Sequence, residues 1–560
     1  MHIENLLGRR AWLKLLPVLT TALAAQTAPP ATEAAKPGEI TRELLQHSMK
    51  MADLAFTDPE LDMMLPSVNQ ALQNYRKLRQ IQVPLDTEPA THFQPLPPGI
   101  TIHAKYLASR VPHARRHGSV DDLAYYPVTQ LSQLLQSRQV TSMELTRMYL
   151  ARLKKHTPVL NCVITMTDDL ALAQAAAADQ KLRHHHPHQP LLGVPWGAKD
   201  LFATKGVPTT WGAEPYRNQT IDYDATVVER LRDAGAVLLA KLSMGSLAQG
   251  GLWYGGMTKN PWKTDETSSG SSAGSASASA AGLVGFALGT ETLGSIISPS
   301  TRCGVAGLRP TYGRVSRHGA MGLSWTMDKV GPIARSAEDC ALILNAIHGP
   351  DGLDNTVRDI PFHFDARLPL KKLRVGVLQS EFEKAPPEDK DVYTQALADL
   401  TKAGVHAVPV ELPDFQAGAL SAILNAEAAA AFDDLTRDRG IDKLTAQTPD
   451  DWPNQFRASR MIPAVEYIRA QRARTLLMKN FGEFMQSWDV LVSPPNTQLL
   501  RITNLTGHPQ ICVPCGFSTG HPRSLVFTGL LYQEGTPVRV ALAYEKATKW
   551  HAMQPPGFES

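Results

Sequence analysis

The sequence predicts an α/β domain preceded by an α-helical extension, and three observations carry that reading. From about Asp122 to the C-terminus, helical and strand patterns alternate along the chain. Between Ile40 and Arg79, apolar residues instead recur three and four positions apart, the period of an amphipathic helix. The composition, 43% hydrophobic and 19% charged, is that of an ordinary globular protein. At 560 residues the chain is long enough for a sizeable core.

Taken in chain order, residues 1–25 have the layout of a secretory signal peptide. A polar start leads to Arg9 and Arg10, then to an apolar stretch from Leu15 to Ala25 that ends in small residues. The string G-R-R-A-W-L-K is similar to a twin-arginine export signal, with Trp12 where Phe is more usual; such signals are addresses rather than anchors. The apolar stretch is too short to span a bilayer as a mature helix. Cleavage near Ala24 or Ala25, a periplasmic or secreted product and no stable membrane insertion are therefore expected, with an uncleaved N-terminal anchor as the alternative.

Residues 26–121 read as a flexible Pro/Ala segment, a helical hairpin broken at Asp58-Pro59, and a Pro-rich connector from Val83 to Gly99. Residues 122–560 form the α/β domain. Within it, T-S-x-E at Thr141–Glu144 reads as a capping box that opens a helix from Ser142 to about Lys155. The apolar runs Gly235–Ala240, Leu373–Leu378 and Asp489–Ser493 read as buried strands. H-H-H-P-H at His184–His188 sits in a polar link and reads as a solvated loop rather than a metal site.

A net charge of +3 is too small at this size to imply a nucleic-acid or membrane-surface partner. The cysteine count is odd, which argues against a complete disulfide framework. Cys512 and Cys515 form C-V-P-C, but a zinc site needs about two more ligands, and none of suitable spacing appears. They read as small buried hydrophobes on a strand, with a disulfide between them left open.

The Gly/Ser-rich run from Ser268 to Ala280, followed by A-L-G-T-E-T-L-G-S-I from Ala287 to Ile296, carries the chemistry. By composition alone the first part is a linker, yet a linker here would cut the α/β pattern in half. Gly270–Gly274 also matches G-x-S-x-G, but a nucleophile elbow needs a strand immediately before it, and N-P-W-K-T-D-E-T reads as a polar loop. The third reading takes both segments together with L-G-V-P-W-G-A-K-D at Leu192–Asp200. With C-G-V-A-G-L-R-P-T-Y-G-R-V-S after the second serine segment and T-G-H-P-Q-I-C-V-P-C-G-F near the end, these ordered blocks resemble the amidase signature family.

That resemblance implies a central mixed β-sheet covered by helices on both faces and a Ser–Ser–Lys triad. Lys199 matches the family's lysine, Ser271 the bridging serine held through a cis peptide, and Ser295 the nucleophile. It also implies an oxyanion hole from the backbone N–H groups of Thr292, Leu293, Gly294 and Ser295. Met244, Ser272 and Leu293 are candidate substrate-pocket residues. The helical hairpin and its trailing E-P-A-T-H-F resemble the small C subunit of tRNA-dependent amidotransferases.

The physics of the triad stands on its own. A serine hydroxyl needs a base within hydrogen-bond reach. A lysine serves only when neutral, which burial favours. Lysine and backbone amides then supply base and electrophile stabilisation, so the reaction calls for no metal and no cofactor. Several departures fall near these residues: Leu293-Gly294 stands for the usual G-G, Glu291 for an aspartate, and Ile297 for an arginine. Ser269 and Ala273 replace glycines, and K-L-S-M-G-S from Lys241 stands where the family often has K-T-N-M-x-E. A positive φ at Leu293 would be strained.

The expected activity is hydrolysis of a small-molecule amide through a seryl acyl-enzyme, releasing ammonia or an amine, with carbamate or ester cleavage as side activities. The alternatives are a catalytically silent periplasmic binding protein and an amidotransferase A-type glutaminase subunit. Both a monomer and a homodimer remain open. The segment from Pro413 to about Met485, with Phe456, Met461, Tyr467 and Phe481, is a candidate acyl pocket, ordinary core packing being the alternative.

Overall fold

The computed structural model describes residues 39–51, 56–78, 93–95, 105–109, 114–184 and 189–559. The expected signal peptide, the Pro/Ala segment, most of the Pro-rich connector and His185–His188 lie outside the described residues. The chain divides into two units, Met1–Gln82 and Val83–Ser560.

In the first unit, α1 (Arg42–Met51) and α2 (Asp58–Leu78) form the expected hairpin. Asp58-Pro59 starts the second helix, where a missing N–H costs nothing. Glu60 reaches back to the residue before that helix, accepting from both the N–H and the hydroxyl of Thr57. Arg42 pairs with Asp58 and Asp62, each at 3.1 Å. Asn69 ties the hairpin's open end, accepting from the Ile40 N–H and donating to its carbonyl.

The second unit is built on a mixed sheet of eleven strands among the described residues. In chain order these are β1 (Val163–Met166), β2 (Pro195–Lys199), β3 (Val237–Leu242), β4 (Phe286–Glu291), β5 (Ala306–Arg309), β6 (Lys329–Ala334), β7 (Val375–Leu378), β8 (Ala407–Val410), β9 (Val490–Ser493), β10 (Gln510–Ser518) and β11 (His521–Gly529). Their spatial order is β8-β7-β9-β11-β10-β5-β6-β4-β2-β3-β1. Helices flank this sheet, as the α/β reading requires. Five used below are α3 (Ser142–Leu160), α4 (Ala273–Ala280), α5 (Ile297–Cys303), α6 (Pro387–Lys402) and α7 (Ala464–Met485). Among the described residues, no helix is long and apolar enough to cross a membrane.

The helix at Ser142 opens on the expected box, with Thr141 and Glu144 capping each other's backbone. It runs past Lys155 to Leu160 and stops at Asn161, whose left-handed φ of 52° ends the turn. The Gly/Ser/Ala run is no linker, because every residue of α4 is buried. Small side chains are what let it lie so close to the sheet. A Cβ on Gly274 would come within 2.4 Å of the Cys162 carbonyl oxygen and 2.5 Å of the Ser243 nitrogen. Two of its three buried hydroxyls are satisfied by backbone: Ser275 donates to the Leu288 carbonyl and Ser277 to that of Lys259.

One expectation is corrected here. A short strand, Lys263–Thr267, does precede the serine pair, formed by residues that read as polar loop. It pairs only with Lys259–Asn260, in a two-stranded ribbon outside the main sheet. Polar residues suit such an edge ribbon, since it has no buried face to demand alternation.

All five cysteines are free and buried. Cys512 and Cys515 lie on β10, around a bulge between Pro514 and Gly516.

Candidate active site

Parallel pairing of β2 with both β3 and β4 brings Lys199 and Glu291, the last residues of β2 and β4, to one edge of the sheet. Ligands of α/β proteins bind at such carboxyl ends. Lys199 is fully buried, and its Nζ donates to Ser271 Oγ (2.9 Å), Ser272 Oγ (3.2 Å) and Thr290 Oγ1 (2.9 Å). Burial pushes its pKa down to about 7, against the weaker pull of the Asp328 and Glu291 carboxylates. Its hydrogen-bonding partners are all hydroxyls.

The Gly270–Ser271 peptide is cis. The Ser271 carbonyl accepts from the Gly245 N–H at 3.2 Å, and the Ser272 N–H donates to the Ser295 carbonyl at 3.2 Å. That last bond ties the two serine-bearing segments together. Ser295 is buried, with 9% of its surface exposed.

Among the described residues, the backbone N–H groups of Thr292, Leu293, Gly294 and Ser295 donate to no protein group. The positive φ of this turn falls on Gly294, at 90°, and Leu293 keeps an ordinary φ. A branched side chain at 293 is therefore accommodated without strain, half-buried beside the turn.

The turn is anchored from beneath by Glu291. One carboxylate oxygen accepts the N–H groups of Ile296 (2.9 Å) and Ile297 (3.0 Å); the other accepts from Arg309 (2.8 Å) and Asn504 (2.8 Å). Glu291 and Arg309 are both fully buried. The Glu291 pKa is held down at about 2: burial opposes this, but the charges of Arg309 and Lys329 and the backbone N–H donors outweigh it. The guanidinium that faces Glu291 belongs to Arg309. Asp328 braces the other side, accepting from the Thr292 hydroxyl (2.6 Å) and the Leu323 and Ser324 N–H groups.

The sequence pointed to neither Thr290 nor this brace. Thr290 was visible only as the residue before Glu291 in the G-T-E-T string, and Arg309 only inside a matched block.

Of the pocket candidates, Leu293 sits on the turn and Ser272 contacts Lys199, accepting also from the Thr290 N–H. Met244 is buried in the core and lines neither cavity beside the serines. In the segment from Pro413 to Met485, Phe456 stacks on Trp452 and Phe481 packs against Phe415, so both are core. Met461 is exposed. The Tyr467 hydroxyl donates to Glu427, which also accepts from Ser324 and Thr326 and so fixes the loop before Asp328. Among the described residues, no cluster of three or more His, Cys, Asp or Glu side chains is arranged to hold a metal ion.

The sequence profile of the amidase family matches residues 144–502. The A subunit of the glutamyl-tRNA(Gln) amidotransferase from Marinomonas sp. (strain MWYL1) is 34% identical over 478 residues, covering 76% of this chain and 98% of that protein. Its counterpart from Methylococcus capsulatus (strain ATCC 33009 / NCIMB 11132 / Bath) is 35% identical over 479 residues, covering 77% and 98%. Among solved structures, native peptide amidase from Stenotrophomonas maltophilia superposes with a TM-score of 0.70 at 30% identity, covering 79% of this chain and all of that one.

Proposed function

This chain belongs to the amidase-signature family of amide-cleaving hydrolases, and from that premise we propose that it hydrolyses a carboxylic amide through an acyl-enzyme on Ser295. The observation that carries the reading is the buried contact between Lys199 Nζ and Ser271 Oγ. An amine excluded from water and bonded only to hydroxyls holds a large neutral fraction near pH 7, and a neutral amine is a base.

The steps follow from that base. Ser295 Oγ attacks the amide carbon; its proton passes to Ser271 as Ser271 gives its own to Lys199. The oxyanion that forms meets the unengaged N–H groups of the Thr292–Ser295 turn. Losing one such donor typically costs about 3–4 kcal/mol of transition-state stabilisation. The proton then returns through Ser271 to the leaving nitrogen, since an amine must be protonated to depart. Water, deprotonated along the same path, attacks the acyl-enzyme and releases the acid.

A second reading, an amidotransferase A-type glutaminase subunit, shares every step above. The curated relatives favour it over a stand-alone amidase, being A subunits matched across nearly their whole length. The export signal proposed for residues 1–25 favours the stand-alone enzyme, because charged tRNA is absent outside the cytoplasm. A silent binding protein is disfavoured by an intact Lys199, Ser271 and Ser295.

Release of ammonia, amine or alcohol from a panel of amides, glutamine, carbamates and esters tests the proposal. Turnover by the native enzyme and none by Ser295→Ala is expected. Equal turnover by both proteins overturns it.

A further inference from the structure

The strip from Gly245 to Gly251 backs the segment that carries Ser271. The Gly245 N–H donates to the Ser271 carbonyl at 3.2 Å. A Cβ on Gly270 would lie 1.8 Å from the Gly250 oxygen, and one on Gly251 would lie 2.9 Å from the Ser269 oxygen. The two stretches therefore touch backbone to backbone, and a shift of one displaces the other.

This strip keeps an unfavourable backbone. Leu247 and Ala248 have φ of 48° and 66°, and among the described residues they are the one adjacent non-glycine pair with positive φ. Neither side chain is of the short polar kind that eases asparagine or aspartate into this conformation. Such a conformation persists only where the surrounding structure holds it.

The holding groups come from far along the chain. Trp452 donates twice, its indole N–H to the Leu247 carbonyl (2.8 Å) and its backbone N–H to the Gln249 carboxamide oxygen (2.8 Å). The Gln249 amide nitrogen donates in turn to the Asp450 carbonyl at 2.9 Å. Only this orientation of the carboxamide serves both partners. Asp450 and Trp452 lie between β8 and α7. The Trp452 ring is itself fixed, stacked on Phe456, which stacks on Phe432. From the other side, the Trp211 carbonyl accepts the Leu247 N–H at 3.0 Å. Trp452 is buried, so water does not compete for its bonds.

We propose that Gln249 and Trp452 are positioning residues for the reaction: they strap the Gly245–Gly251 strip in its left-handed form, and the strip fixes the backbone of Ser271. The proposal rests on the reading of Ser271 as the relay to Ser295. A stretch that supplies no reacting atom thereby sets the alignment of the proton path.

The test follows the rate at which a fluorophosphonate probe labels Ser295, with kcat and KM for the amide that turns over fastest. It uses the full chain, Gln249→Ala, Trp452→Phe, Ala248→Gly, the Gln249→Ala/Ala248→Gly double variant and Ser295→Ala. Trp452→Phe removes the indole N–H and keeps an aromatic ring in the stack, so one variant loosens the strap without losing its packing. Gln249→Ala is expected to slow labelling and lower kcat about fivefold or more, and Trp452→Phe about threefold, while KM moves less than about twofold. Glycine adopts a positive φ freely, so Ala248→Gly should label at the native rate alone and recover about half of the lost rate in the double variant. Native labelling and kcat in both folded strap variants overturn the assignment and leave the nucleophile standing. So does a double variant no faster than Gln249→Ala. A raised KM with native kcat and labelling makes these residues substrate contacts and overturns it as well. Labelling that survives in Ser295→Ala overturns the nucleophile reading itself.

Discussion

Lys199 is surrounded by hydroxyls where a structural lysine would meet a carboxylate, as Lys241 meets Asp200 at 3.1 Å one strand away. That difference sets a sign for the pH dependence. In the proposed mechanism the working form is the neutral amine, so acylation should rise with pH through a midpoint near 7 and level off above it. Pre-steady-state acylation rates measured across that range check this, and a rate independent of pH there contradicts it. Lys199→Ala should slow acylation at least as severely as Ser271→Ala, since both lie on one proton path; a Lys199→Ala enzyme of normal rate removes the relay. At this scale the matched blocks marked Lys199, Ser271 and Ser295, and the fold brings the first two into contact. The sequence was silent about Thr290 and Arg309, whose contacts cross between strands and depend on register.

Glu291 shows how an element holds the site. One carboxylate joins the end of β4, the start of α5 and, through Arg309, β5. Glu291→Gln removes the charge that faces a buried guanidinium and leaves one oxygen for the four donors that two carboxylate oxygens now serve. Breaking a buried pair in this way typically costs about 3–5 kcal/mol. Denaturant unfolding should show a loss of that order, with a fall in kcat larger than any rise in KM because the turn loosens. Unchanged stability contradicts the anchoring role. The helix α4 teaches the converse lesson about legibility. Its Ser/Ala/Gly composition is that of a linker, and only the close approach at Gly274 explains why small residues were required there. The ribbon strand at Lys263–Thr267 escaped the pattern because it buries no face, whereas the runs before Leu242, Leu378 and Ser493 were legible as strands because they are wholly buried.

At the scale of the molecule, the alternation from Asp122 onward announced an α/β unit, and the resemblance supplied its mixed sheet. The order of eleven strands was not legible, since neighbours such as β4 and β6 or β9 and β11 are brought together by long crossovers. The proposed export of the chain is tested by fractionating cells with and without a working twin-arginine pathway. A processed periplasmic or secreted product that depends on Arg9 and Arg10 is expected; a strictly cytoplasmic, full-length product favours the glutaminase-subunit reading. The central claim is that Ser295, served by Ser271 and Lys199, is the nucleophile. A fluorophosphonate probe followed by peptide mapping tests it most directly. The adduct should sit on Ser295, and Ser295→Ala should remove it; labelling retained in Ser295→Ala, or an adduct on another serine, contradicts the account.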